Sequence, residues 1–166
     1  MTDLKTYLAR ESTIGSIINL VIGSVFYLVV FRGQTDPAVW GPKGLIVDCL
    51  PQGFMIGLMS IVPAMLITRK RVNAGLQIPT EAPSGWLPKG PFARGVCVAL
   101  LTMVALVAIA VGLALATGVQ SLPFWIGFAL KSLPGLIVPW IVTPPALRVV
   151  LAGGPSARIA ANEAHS

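Results

Sequence analysis

Few side chains in this sequence could do chemistry, and three of them lie in otherwise apolar stretches. Asp48 and Gln52 are four residues apart, so they share one face if their segment is helical. Lys131 lies in a later stretch of the same kind. Charged groups deep in a membrane are functional candidates, but these lie near the ends of their stretches. Two hypotheses stand: boundary charges that pair or are solvated, and a proton or ion relay through Asp48, Gln52 and Lys131.

A second group of polar residues includes Glu11 and Arg94, with Arg10 and Ser12 beside Glu11 in the sequence. An enzyme acting on lipid would need a nucleophile, an acid or a metal to converge with them. The chain offers no paired carboxylates, and its one histidine, His165, is the second-last residue. We predict that the protein is not an enzyme. Glu11 and Arg94 are instead candidates for an ion pair near the inner membrane surface.

The composition indicates where these residues must lie. Hydrophobic residues make up 55% of the 166 residues and charged residues 11%, whereas a soluble domain is about 25% charged. Membrane helices need about 20 mainly apolar residues, and four segments qualify: residues 12–31, 45–68, 95–116 and 123–148. We predict an all-α membrane protein, a four-helix transmembrane bundle in one domain of residues 1–166.

Positive charge is distributed unevenly over the predicted connections. The two short connections contain Arg32 and Lys43, whereas the termini and the loop of residues 69–94 contain nine basic residues. Because short cytoplasmic loops carry the excess of Lys and Arg, we predict that this loop and both termini are cytoplasmic, in a bacterial inner membrane. The rule also accounts for the net charge of +6, and we predict no nucleic-acid binding. The tail, residues 152–166, is predicted to be disordered.

The cysteines fit neither a disulfide nor a metal site. Cys49 lies at the outer end of the second span and Cys97 at the inner end of the third, so most of the bilayer separates them. A disulfide needs Cα atoms within about 7 Å. No CxxC or HExxH spacing is present. We predict no cofactor and no metal.

A shift of the chain by 83 residues raises the question of an internal repeat. The shift places Asp48 on Lys131 and Glu11 on Arg94, and both charges reverse sign. It also superimposes the Leu-Pro dipeptides at positions 50–51 and 133–134. Chance alignment of apolar helices is one explanation. The other is two duplicated hairpins related by an axis along the membrane normal, which would bring Asp48 against Lys131 and Glu11 against Arg94.

Small residues mark faces where membrane helices can pack closely. They form two stripes at spacings of four: Gly15, Asn19 and Gly23 in the first span, and Ala108, Gly112 and Ala116 in the third. We predict that both stripes face partner helices. Asn19 is expected to donate an interhelical hydrogen bond.

The fourth span contains four prolines: Pro134, Pro139, Pro144 and Pro145. Each removes a backbone donor and favours a kink. Kinked, discontinuous helices line the sites of many transporters, although prolines are also common in ordinary membrane helices. We therefore consider a cavity near Pro134, Pro139 and Gln52.

The fourth span, "FWIGFALKSLPGLIVPWIVTPPALRVV", leads with a tryptophan and ends in proline followed by arginine. In this it resembles the second helix of a family of very small, two-helix bacterial inner-membrane proteins of unknown function. The resemblance covers about 25 residues of this four-span chain. It implies that the chain duplicates such a hairpin, and it implies no activity.

Two functions fit these observations. The first is a small integral membrane protein that acts by association in the lipid bilayer, as a homo-oligomer or as an accessory subunit of a membrane-protein partner. The alternative is a small oligomeric transporter or permease, whose cavity would lie near the proline-rich fourth span.

Overall fold

The computed structural model describes residues 3–81, 87–88 and 90–153. Its four α-helices are each long and apolar enough to cross a membrane, which confirms the all-α four-helix fold and the multi-pass class. They are α1 (Leu4–Val30), α2 (Leu45–Asn73), α3 (Pro91–Thr117) and α4 (Phe124–Ala152). Residues 82–86, Lys89 in the predicted loop, and most of the predicted tail with His165 lie outside the described residues.

All four helices extend past their predicted spans at one end of the bundle. We call it the terminal end because the described chain starts and finishes there. At this end α1 begins at Leu4 and α2 continues to Asn73. The extra turns are held by packing, since Tyr7, Leu8 and Val72 are buried together. We call the opposite end, with the connections of residues 31–44 and 118–123, the cap end.

The helices are arranged in a way that relates the two hairpins. α2 and α4 pack against each other at the centre, α1 packs on α4, and α3 packs on α2. The first hairpin is α1 with α2, and the second is α3 with α4. Exchanging the two hairpins moves α1 to the place of α3 and α2 to the place of α4, and the reverse. This exchange maps each of these contacts onto another of them or onto itself. The arrangement therefore has an approximate two-fold axis between α2 and α4.

Three contacts lie on this axis, and each joins residues 83 apart. At the cap end, Ala38 and Ser121 form an isolated antiparallel bridge. Further along, the Lys131 ammonium lies 2.5 Å from the Asp48 carboxylate. Near the middle of α2 and α4, the Thr143 hydroxyl donates to the Ser60 carbonyl at 3.1 Å. An offset that recurs at three depths is what an axis along the bundle produces, so the structure supports the hypothesis of two related hairpins.

Glycines set the closest helix approaches. A Cβ on Gly57 would lie 2.6 Å from the Ala99 Cα atom, and one on Gly53 would lie 2.7 Å from the Met103 Cα atom, so α2 and α3 touch backbone to backbone. On the other side of the axis, a Cβ on Gly135 of α4 would lie 3.3 Å from the backbone of α1. Small residues permit such close packing in membranes, where apolar burial does not drive helix association.

The prolines do not divide α4, which is one continuous helix from Phe124 to Ala152. Pro139 is among the most completely buried residues of the protein. Side chains from other helices donate to α4 carbonyls just after the breaks in its hydrogen-bond ladder: Ser16 to Leu136 O at 2.8 Å and Gln52 to Lys131 O at 2.6 Å. Such donors add hydrogen bonds to the helix backbone next to these breaks, in a membrane interior that supplies little water.

Candidate functional site

The polar pair on the axis is nearly closed off from its surroundings. The side chains of Lys131 and Asp48 are 8% and 10% exposed. The Lys131 ammonium also donates to Leu45 O at 3.2 Å and to Cys49 Sγ at 3.6 Å. An ammonium has three donors, and here each has an acceptor. The structure thus brings Asp48 and Lys131 together as the offset of 83 residues predicts.

The position of the pair favours a structural role. Asp48 lies in the first turn of α2, where a carboxylate is stabilised by the positive end of the helix dipole. Lys131 is the eighth residue of α4, about 10 Å from its start. Gln52 does not join the charges in a chain of side chains, because its amide donates to the backbone carbonyl of Lys131. The alternative hypothesis, a relay, therefore has no continuous path through these three side chains.

The predicted pairing of Glu11 with Arg94 is wrong. Glu11 accepts a hydrogen bond from Arg71 at 2.5 Å, and Arg71 also donates to the Tyr7 hydroxyl. Arg94 instead donates to the carbonyls of Pro88 and Leu87. The reason is the arrangement of the helices: α1 and α3 lie on opposite sides of the central pair, so residues of these two helices that are equivalent under the axis cannot meet.

The cluster considered for lipid chemistry is consequently not assembled. Ser12 is completely buried, and its hydroxyl has no hydrogen-bond partner among the described residues. Sequence reasoning also missed the polar cluster that does form at the terminal end, in which Tyr7 and Thr68 share a hydrogen bond of 2.8 Å. The only signal for it was a tyrosine one helical turn before Glu11.

The first small-residue stripe faces other helices as predicted. The Asn19 amide donates to Ser60 Oγ at 2.9 Å, which is the expected interhelical hydrogen bond. A Cβ on Gly15 would lie 3.4 Å from Pro139, and one on Gly23 would lie 3.9 Å from the Gln52 amide. Each member of this stripe therefore has a neighbour from α2 or α4.

The second stripe behaves differently, because no other helix in the described part of the chain covers it. Ala108, Gly112 and Ala116 are all exposed, and a Cβ on Gly112 would meet nothing within 4 Å. The stripe lies opposite the face of α3 that packs on α2. The prediction that it faces a partner helix does not hold within this chain.

A cavity of about 360 Å³ lies between α2, α3 and α4 in the half of the bundle near the cap end. Its wall is mainly apolar, and it reaches Gln52, Lys131 and Pro134. Pro139, the other proline considered, is packed against Gly15 of α1. The cavity is thus beside the proline-rich helix, although α4 is not discontinuous there.

Comparison with known proteins found no matching family model, no matching curated protein and no matching solved structure. Among residues 3–81, 87–88 and 90–153, no three His, Cys, Asp or Glu side chains are grouped so that they could hold a metal ion. Cys49 and Cys97 are both free thiols.

Proposed function

We propose that this protein is a membrane subunit that acts by associating with a further transmembrane helix across the outer face of α3. The observation that carries the proposal is the uncovered stripe of Ala108, Gly112 and Ala116. Elsewhere in the bundle, small residues lie where helices approach most closely, as Gly53 and Gly57 do between α2 and α3. A stripe of the same spacing that no helix covers is suited to a partner outside the chain.

A second copy of the chain is the first partner to test, since two α3 helices can meet through the same stripe in a symmetric dimer. An accessory role beside another membrane protein would use the same face. We further propose that the cap end faces away from the cytoplasm in a bacterial inner membrane, because nine basic residues belong in the sequence to the termini and the loop of residues 69–94, and only Arg32 and Lys43 to the cap-end connections.

A photocrosslinking amino acid at position 112 tests the association in native membranes. We expect a discrete adduct on irradiation, and its mass identifies the partner: twice the chain for a homodimer, another mass for an accessory complex. The same crosslinker at Val21, an exposed residue of α1, is the matched control. The proposal fails if position 112 gives no discrete adduct, or only the adducts that position 21 gives. A Gly112→Leu variant should weaken association without loss of thermal stability, because its side chain has open space around it.

The cavity favours a second candidate function, a small oligomeric transporter or permease. It reaches Gln52 and lies beside the kink-prone segment at Pro134, as a substrate site in such a protein would. A transporter needs water to reach this cavity. A cysteine in place of Gln52, in a variant without Cys49 and Cys97, should then react with a membrane-impermeant thiol reagent in intact cells. The control is a Lys43→Cys variant, whose cysteine is exposed in the cap-end connection. If this control reacts and the cysteine at position 52 does not, the result counts against transport.

A further inference from the structure

The cavity is positioned where the two-fold axis would place two aromatic side chains. Tyr27 of α1 is buried and donates a hydrogen bond from its hydroxyl to Phe124 O at 3.0 Å. Its ring packs against those of Phe31 and Phe128. Its hydroxyl fills the space beside Gly127, where a Cβ would be only 2.5 Å away. These aromatic rings pack the contact between α1 and α4 near the cap end.

Adding 83 to positions 27 and 31 gives Ala110 and Ala114, and both alanines line the cavity. The two halves are therefore packed differently at equivalent places. Where one half has a tyrosine and a phenylalanine, the other has two methyl groups and an open space. The cavity follows from this pair of sequence differences.

The side of the cavity between α3 and α4 would face lipid in a membrane. α3 and α4 are the adjacent helices that make the least contact, so the space between them is open at the side. Exposed apolar residues of α3 and α4, such as Leu113 and Leu130, border it. At the cap end, the connections are joined by the bridge of Ala38 with Ser121, and Trp40 donates to Val119 O at 3.3 Å. The cavity is therefore easier to enter from the bilayer, at the side of the bundle, than from the cap end.

The length of the cavity suits a chain. On α3 the lining runs from Leu106 to Thr117, which is about 16 Å at the rise of an α-helix. One leaflet has about half of the 30 Å hydrocarbon thickness, roughly 15 Å. A chain that runs along the axis of the bundle in the leaflet at the cap end would therefore fill the cavity from top to bottom.

The polar groups in the wall already have partners, so they do not favour a charged ligand. Lys131 already donates to Asp48, Leu45 O and Cys49 Sγ, and the positive charge is neutralised. The Gln52 amide donates to Lys131 O. An anionic headgroup needs an unpaired cation for binding, and the only cation among the described residues of the wall, Lys131, is paired with Asp48. A hydrocarbon chain needs no cation.

We propose that this cavity binds one acyl chain of a phospholipid, inserted sideways between α3 and α4 from the leaflet at the cap end. The chain takes the place that Tyr27 and Phe31 fill in the other half. The inner wall of this site and the association stripe lie on different faces of α3, because Ala110 is about 200° around the helix from Gly112, whereas Leu113 at the entrance borders both.

The test uses the full chain in vesicles of phosphatidylethanolamine and phosphatidylglycerol, with a trace of phosphatidylglycerol that carries a diazirine in one acyl chain. After irradiation, adducts are mapped by mass spectrometry and expressed as the ratio of adducts on Leu106 and Pro134 to adducts on Leu115, which faces away from the bundle and is 68% exposed. The double substitution Ala110→Tyr with Ala114→Phe fills the space. Ala105→Tyr, at an exposed position outside the lining, is the matched control.

We expect the filled variant to lower the adduct ratio by about tenfold, since the added rings occupy the space and a chain could enter only by overpacking it. Ala105→Tyr should leave the ratio unchanged. Equal ratios in all three proteins would overturn the proposal. If circular dichroism shows that the double variant does not fold, the single substitution Ala110→Leu is judged by the same ratio, with a smaller decrease expected and no decrease overturning the proposal.

Discussion

Exchanging the charges of Asp48 and Lys131 tests both the ion pair and the internal two-fold axis. The variants are Asp48→Lys, Lys131→Asp and the double substitution. Each single variant places two like charges face to face in a nearly buried site, since the side chains are only 10% and 8% exposed. The double variant restores opposite charges at the same two positions. If the axis relates these positions, the restored pair should find an environment like the original one.

The structure provides the acceptors that the exchanged lysine would need. In the native protein, Lys131 donates to Leu45 O and to Cys49 Sγ. Adding 83 to positions 45 and 49 gives Phe128 and Ser132, whose carbonyl and hydroxyl lie 2.8 Å from each other. A lysine at position 48 would therefore have a carbonyl and a hydroxyl oxygen in the places that the axis assigns. Serine is a better acceptor than cysteine, so the exchanged pair loses little on this account.

The expected magnitude follows from breaking a buried pair. Removing one partner of such a pair costs about 3–5 kcal/mol. For a chain of this size, 1 kcal/mol corresponds to about 2–4 °C in the midpoint of thermal unfolding, so each single variant should lose about 10 °C. Because the double variant regains the attraction, the coupling free energy between the two sites should be about 3 kcal/mol or more. Independent sites would add within about 0.5 kcal/mol.

The assay is thermal unfolding of the purified protein in one detergent, followed by circular dichroism. Exchange of Asp36 and Lys43, both exposed in the cap-end connection, makes the same charge changes outside the helices and should alter stability by less than about 0.5 kcal/mol. The reasoning is refuted if the two single losses simply add in the double variant, or if neither single variant loses stability.

Three further changes have definite expected results in the same unfolding assay. Gly57→Ala should destabilise the protein by about 1–3 kcal/mol, because the added Cβ would be 2.6 Å from the backbone of α3; an unchanged midpoint would contradict this close approach. Tyr27→Phe removes the hydroxyl that donates to a carbonyl of α4 and should cost about 1 kcal/mol, and no loss would mean that water replaces this hydrogen bond. A double-mutant cycle of Glu11→Gln with Arg71→Gln should give a coupling of about 1 kcal/mol or less, since Arg71 is partly exposed. The corresponding cycle of Glu11 with Arg94→Gln should give none, and the opposite ranking would restore the pairing that the structure rejects.

Part of the candidate site could be predicted from the sequence alone. The offset that places Asp48 on Lys131 is visible in the sequence, and residues on a two-fold axis meet their own equivalents. The same offset failed for Glu11 and Arg94, because equivalence brings residues together only near the axis. Distance from the axis is a property of the packed helices, and nothing in the spacing of residues reports it.

The two small-residue stripes show the same limit. Both have the spacing that permits close packing, yet one is covered by α4 and α2 while the other is open. In a soluble helix, polar residues mark the face turned to water. In a membrane helix, lipid and a partner helix are equally apolar, so the pattern does not say which face meets which. Ala110 and Ala114 likewise give no hint of a cavity until they are compared with Tyr27 and Phe31 in three dimensions.

The sequence by itself determined the four spans and the class of the protein, because long apolar runs and the few charges between them can be read along the chain. It raised the relation between the two hairpins only as one of two explanations. Only the tertiary structure decided the partner of Glu11, the exposed side of α3 and the space beside Lys131. These depend on the rotation of each helix about its own axis. That rotation is set by backbone contacts at residues such as Gly57 and Gly135, and not by hydrophobicity, which is nearly uniform around these helices.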